Sequence, residues 1–153
     1  YGEGGSGVFT SNVEIKTGAD ETVNKAYVVD VITAGTQVEG LKLGTSSAAG
    51  TFTTPALAVT GDKELSMYAV AWRNKTCQLT ITVNGGGTIN GGTSYTIEPI
   101  ANDGAHDSSP FTIEFGDTDY YKFELKGLTT SSTLTFSTDA TAPRCIITGV
   151  NLN

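Results

Sequence analysis

Apolar and polar positions alternate along this chain in short runs, separated by clusters of Gly, Asn, Ser and Asp. The clearest runs cover residues 76–83, 119–125 and 132–137. In the first, Cys77, Leu79, Ile81 and Val83 share one face and Gln78, Thr80 and Thr82 the other. That two-residue period is the mark of a half-buried strand. No stretch carries a helical period. Runs of this kind at regular spacing predict an all-β fold, a two-sheet antiparallel β-sandwich, with jelly-roll topology as the best match.

Read from the N-terminus, residues 1–7 are Gly-rich and predict a flexible lead-in or linker. Residues 8–153 then form a single sandwich domain. A weakly alternating first edge strand is expected over 8–15 and a polar loop over 17–24. Tyr27, Val28, Val29, Val31 and Ile32 are apolar on both faces, which places their strand centrally. Leu41 and Leu43 belong to a strand, and the Gly/Ser/Ala stretch after them turns the chain through Gly50. Residues 51–59 are extended, with Pro55 pointing to an edge or a bulge. Gly61, Asp62 and Lys63 are expected to turn. Residues 65–72 form the most apolar strand, and 78–83 its expected hairpin partner across Arg73, Asn74 and Lys75. Asn84–Gly87 and Asn90–Gly92 are turn signals. Short strands follow over 95–97 and 111–115, separated by an Asp-rich loop over 101–109. The runs around Tyr120 and Leu134 come next, and residues 145–152 close the fold. The total is roughly ten strands without a helix or an internal repeat.

Composition narrows the class. Threonine is the commonest residue and there are 19 glycines. Threonine suits exposed strand faces and glycine suits tight turns, a pairing typical of secreted β domains. The net charge of −7 disfavours nucleic acid and anionic membrane surfaces. No run of about eighteen apolar residues exists, so no membrane-inserted helix is expected. The chain opens on Tyr1 without a signal-like stretch and reads as a mature or excised segment.

No catalytic motif stands out. His106 is the only histidine, and no Gly-x-Ser-x-Gly elbow accompanies it. It reads as a solvated loop residue. Glu114 and Glu124 lie on outward strand positions and Glu98 at a strand end, so no carboxylate pair for glycoside hydrolysis is implied. Asp103, Asp107, Asp117 and Asp119, with Asn102, suggest hard oxygen ligands for a structural calcium. Their spacing matches no known loop, and Asp is common in turns without metal. No other metal or cofactor is indicated. Asn74-Lys75-Thr76 fits a glycosylation acceptor by pattern alone. Cys77 is in phase with its apolar neighbours and reads as a small buried hydrophobe. A bridge to Cys145 would require the last strand to lie beside it.

The remaining chemistry is aromatic. Sugar binding needs a flat ring and a few fixed polar groups. Trp72 is the sole tryptophan and ends an apolar strand beside Arg73 and Asn74. Tyr120 alternates away from Tyr121, Phe123 and Leu125. These four, Trp72, Arg73, Asn74 and Tyr120, are the candidate carbohydrate-binding residues. The competing reading packs Trp72 between the sheets.

Two stretches carry a resemblance. Residues 41–55 (LKLGTSSAAGTFTTP) resemble the "LKLGTSSKAGTATTP" segment of jelly-roll domains in surface and secreted proteins of Gram-negative gut anaerobes. Residues 121–138 (YKFELKGLTTSSTLTFST) resemble that family's "YKFELKGLTSSTTITFST". Ala69-Val70-Ala71-Trp72 stands for its "AAW", and Arg144 opens the closing strand as in "RFFIDDVKV". The resemblance spans about residues 41–152 and implies a galactose-binding-like or carbohydrate-binding-module jelly roll. The family's two closing aspartates are replaced by Thr148 and Gly149, which weakens the case for calcium.

Two functions follow as expectations. One is a non-catalytic carbohydrate-binding module, extracellular, at the cell surface or periplasmic, with a polysaccharide or glycan as partner. The other is a structural or adhesive spacer joining other domains of a larger chain. The scarcity of aromatics favours the spacer; Trp72 favours the module.

Overall fold

A computed structural model describes residues 20–153. The lead-in over residues 1–7 and the edge strand expected over 8–15 lie outside the described residues. Among the described residues two sheets face each other. The larger has seven strands: β1 (Ala26–Thr33), β2 (Thr36–Leu43), β4 (Gly61–Ala71), β6 (Thr88–Ile89), β8 (Phe111–Thr112), β9 (Tyr120–Leu128) and β11 (Cys145–Leu152), ordered β6-β9-β4-β11-β2-β1-β8. The smaller has four: β3 (Thr51–Thr53), β5 (Leu79–Asn84), β7 (Ser94–Ile97) and β10 (Thr133–Thr138), ordered β3-β10-β5-β7. The chain passes from one sheet to the other at every step from β2 to β8 and again at β9–β10–β11, which makes the sandwich a jelly roll. One helical turn, Asp117–Asp119, precedes β9. No helix among the described residues is long and apolar enough to cross a membrane.

Alternation builds the inner core. Leu65, Met67, Ala69 and Ala71 of β4 meet Leu79, Ile81 and Val83 of β5 and Phe136 of β10. The outer face of the small sheet is polar and laced with hydroxyls. Thr53 and Thr135 bond at 2.8 Å, and Thr80 and Thr96 at 2.7 Å. Such cross-strand pairs fix register on a wet face.

Several expectations are corrected. β5 does not pair with β4; it lies in the opposite sheet between β10 and β7. Residues 72–78 are the crossover. Trp72 N–H donates to Arg144 O at 3.3 Å and Gln78 N–H to Ala142 O at 3.2 Å, tying the crossover to the approach to β11. Gly61 begins β4 rather than a turn, and its φ of 82° sits beside a bulge opposite β9. β8 pairs parallel to β1, in an otherwise antiparallel ladder set.

Among the described residues β1 is not central, since only the two-residue β8 lies beyond it. It is apolar on both faces for a different reason. Residues 100–116 form a strap across the outer face of the large sheet. Ala105, Phe111 and Ile113 of the strap bury Val29, Val31, Val70 and Ile146 in a second core. The strap is fastened at both ends. Ala71 N–H donates to Ile100 O at 2.9 Å, Ser109 Oγ accepts from Asp30 N–H at 2.9 Å, and Ile113 N–H donates to Ile32 O at 3.0 Å, while Asn102 Nδ2 ties the strap to itself by donating to Glu114 O at 3.2 Å.

Candidate functional site

The outward row of β4 is Ser66, Tyr68 and Val70, continued by Trp72 just past its end, because Leu65, Met67, Ala69 and Ala71 take the inner positions. Val70 is covered by the strap. Tyr68 and Trp72, four residues apart and thus about 13 Å along the strand, line separate grooves.

The first groove has a volume of about 350 Å³ and is lined by Thr33, Ala34, Val38, Tyr68, Glu114, Phe115, Thr148 and Gly149. Three rings gather beside it. The Tyr68 centroid lies 5.2 Å from Phe115 and 4.8 Å from Tyr120. Tyr120 is the exposed member, at 38%, and Lys122 Nζ lies 5.7 Å from its centroid. The floor is a β-bulge in β11 between Thr148 and Asn151. Gly149 sits there at φ 63°, and a Cβ on it would lie 3.2 Å from Tyr68 Cδ2. Glycine therefore does two things at this position. It adopts the left-handed backbone and lets the tyrosine ring rest on the sheet. Thr148 Oγ1 donates to Glu39 O at 3.2 Å, fixing the bulge to β2.

The second groove, of about 310 Å³, lies at the Trp72 end of the strap. Trp72 is half-buried and on the outer face, so it does not pack between the sheets. Phe111 meets it edge-on at 5.7 Å. Arg144 Cζ lies over the indole at 4.5 Å and Lys42 Nζ at 5.4 Å from its centroid. Lys42 Nζ is also 4.5 Å from the Tyr27 centroid. Burial, and then the neighbouring Arg144 charge, hold the Lys42 ammonium below the usual lysine pKa.

The four expected binding residues do not form one site: Trp72 lines the second groove, and Arg73 and Asn74 line neither. Tyr120 belongs to the Tyr68 cluster. The cation over Trp72 is Arg144, not Arg73. Arg73 Nη1 bonds His106 Nε2 at 3.2 Å, and its Nε lies 3.6 Å from Asp103. Asn74 is exposed at a left-handed turn position, φ 56°. Tyr68, Phe115, Lys42 and Arg144 were not among the expected site residues. Alternation along 65–72 already puts Tyr68 in phase with Trp72, and that signal could have found it.

The acidic residues disperse. Asp103 faces Arg73, Asp107 lies 3.1 Å from His106 Nε2, and buried Asp119 accepts from Gly116 N–H at 2.8 Å. Among the described residues no three His, Cys, Asp or Glu side chains come together to hold a metal ion. Cys77 and Cys145 are free and buried.

No family model and no curated protein matches this chain. Among solved structures it is similar to TmCBM61, determined in complex with β-1,4-galactotriose. The two share 13% identity over 95% of this chain and 97% of that one, with a TM-score of 0.48.

Proposed function

We propose that this chain is a non-catalytic, carbohydrate-binding-module-like domain that takes a sugar in the groove beside Tyr68, Phe115 and Tyr120. One observation carries the reading. Two aromatic rings, Tyr68 and Phe115, line an open depression, with Tyr120 packed on Tyr68 beside it, and the other walls supply the Glu114 carboxylate and the threonine hydroxyls of Thr33 and Thr148. A pyranose has apolar C–H faces that stack on such rings and equatorial hydroxyls that need fixed acceptors and donors. Strap and bulge hold these groups in place before any ligand arrives, which lowers the ordering cost of binding. The threonine- and glycine-rich β composition and the sequence resemblance support an exported setting, as one domain of a larger surface or secreted protein.

The test is calorimetry of the folded protein against a panel of plant and microbial polysaccharides, repeated with Tyr68→Ala. Binding to at least one glycan, weakened about tenfold or more by Tyr68→Ala, is expected. Binding that ignores Tyr68→Ala, or none across the panel, contradicts the reading.

The alternative is a spacer that joins other domains and binds no sugar. One observation favours it: the sole tryptophan carries Arg144 over its ring and is not a free platform. Absence of all glycan binding is the outcome it predicts.

A further inference from the structure

Two of the nine basic side chains lie over one indole in a chain of net charge −7. Lys42 and Arg144 lie within 6 Å of the Trp72 centroid, and Arg73 and Lys75 follow it in sequence. Arg73 has partners in His106 and Asp103. Lys42 and Arg144 do not have acidic ones: among the described residues no carboxylate comes within 4.0 Å of either.

Two half-buried like charges held side by side repel each other and lose hydration. Contacts with the faces of Trp72 and Tyr27 offset part of that cost, at about 0.5–2 kcal/mol each. Their hydrogen-bonding capacity is largely unspent. Lys42 Nζ donates one bond, to Gly44 O at 2.9 Å, leaving two protons. Arg144 donates no side-chain hydrogen bond among the described residues. Lying over an aromatic face uses the plane of a guanidinium and leaves its in-plane N–H fork open.

Both cations line the second groove with Trp72, Phe111 and the hydroxyls of Ser108 and Ser109. Two carboxylates, Glu21 and Asp107, also line it. Asp107 is largely solvent-exposed, and its carboxylate lies 3.1 Å from the same His106 Nε2 that faces Arg73. The space suits one sugar ring with a charged substituent. An unspent bidentate donor, a second cation and an aromatic wall form a receptor for a carboxylate or a sulfate ester.

We propose that the Trp72 groove binds the anionic substituent of an acidic sugar, Arg144 supplying the fork and Lys42 the point charge. The inference rests on the glycan reading for the carrier of the anion; the anion site itself does not depend on the Tyr68 groove.

The experiment is calorimetric titration with trigalacturonate and with its fully methyl-esterified form, which has the same sugars without the charge. A sulfated galactose trisaccharide is the third probe. Trigalacturonate is expected to bind at least tenfold more tightly than the ester, and to weaken as salt rises from 50 to 500 mM. Arg144→Gln is expected to lower its affinity at least tenfold, with Arg144→Lys intermediate because charge survives and the fork does not. Should Arg144→Gln melt at the assay temperature, Lys42→Gln reads the same prediction. Competition by the sulfated probe, lost with the same variants, assigns sulfate to the site as well; no competition confines it to carboxylate. Equal binding of acid and ester, or acid binding untouched by both variants, overturns the inference. If the ester still depends on Tyr68, the glycan reading stands without it. If acid binds through Arg144 while no neutral glycan responds to Tyr68→Ala, the anion site stands and the Tyr68 groove falls.

Discussion

Arg144 lies over the indole of Trp72, its guanidinium carbon 4.5 Å from the ring centroid. The contact closes the approach to β11 against the end of β4, where Trp72 N–H already donates to Arg144 O. Removing the side chain uncovers the ring. Arg144→Ala is expected to cost about 1 kcal/mol of stability, to red-shift tryptophan emission and to increase acrylamide quenching. Emission unchanged from the parent would show that the arginine does not shield Trp72.

Gly149 and Tyr68 form the other decisive pair. A Cβ at position 149 meets the tyrosine ring at 3.2 Å, and φ there is 63°. Gly149→Ala is expected to destabilise the fold by about 1 kcal/mol or more. It is also expected to weaken glycan binding without touching ligand, by lifting Tyr68 from the bulge. Chemical denaturation and calorimetry read the two effects separately. Stability and affinity both equal to the parent's would contradict the role given to this glycine.

The inner core depends on a cross-strand aromatic pair. Phe52 and Phe136 face each other in register between β3 and β10, and both are fully buried. Truncation of Phe136 to alanine is expected to cost about 3–5 kcal/mol. The measured midpoint in urea should fall while the slope stays near the parent's. A loss below about 1 kcal/mol would mean that the sandwich interior is not packed as described.

A fourth expectation concerns alkaline stability. Cys145 is completely buried, and its thiol pKa is raised well above the usual value, first by a hydrogen bond with Cys77 and then by burial. A raised folded-state pKa means that the unfolded chain releases this proton first. The thiol's contribution is therefore complete below the unfolded pKa, about 8.5, and is lost as pH rises above it. Between pH 9 and 10 the slope due to this group approaches 1.4 kcal/mol per unit. Cys145→Ala should flatten the decline by that amount. Both thiols should also resist a thiol reagent until the protein unfolds; rapid labelling of the native state would contradict their burial.

Much of this architecture is legible in the alternation. Residues 120–128 and 133–138 declare their faces because one side is wet and the other dry. Strand partnership is less visible. Arg73, Asn74 and Lys75 look like a hairpin turn, yet the crossover they begin carries the chain to the other sheet, a choice made by backbone bonds to Ala142 and Arg144. The two-residue turn at Ala34 and Gly35 also lacks the usual Asn or Asp, although both residues adopt positive φ. The two-faced apolarity of residues 27–32 reports a strap on the outside, not a central position. For the site, Tyr120 and Trp72 stand out as aromatics at strand ends. Arg144 and Lys42 do not, since their meeting over one ring depends on β2, β4 and β11 lying side by side.

The most direct measurement is a titration of the isotope-labelled protein with a bound glycan, followed by amide NMR. The account predicts shifts concentrated at Tyr68, Glu114, Phe115, Thr148 and Gly149, with the threonine face of β5 and β10 silent. Shifts confined to that threonine face, or none at saturating glycan, would contradict it.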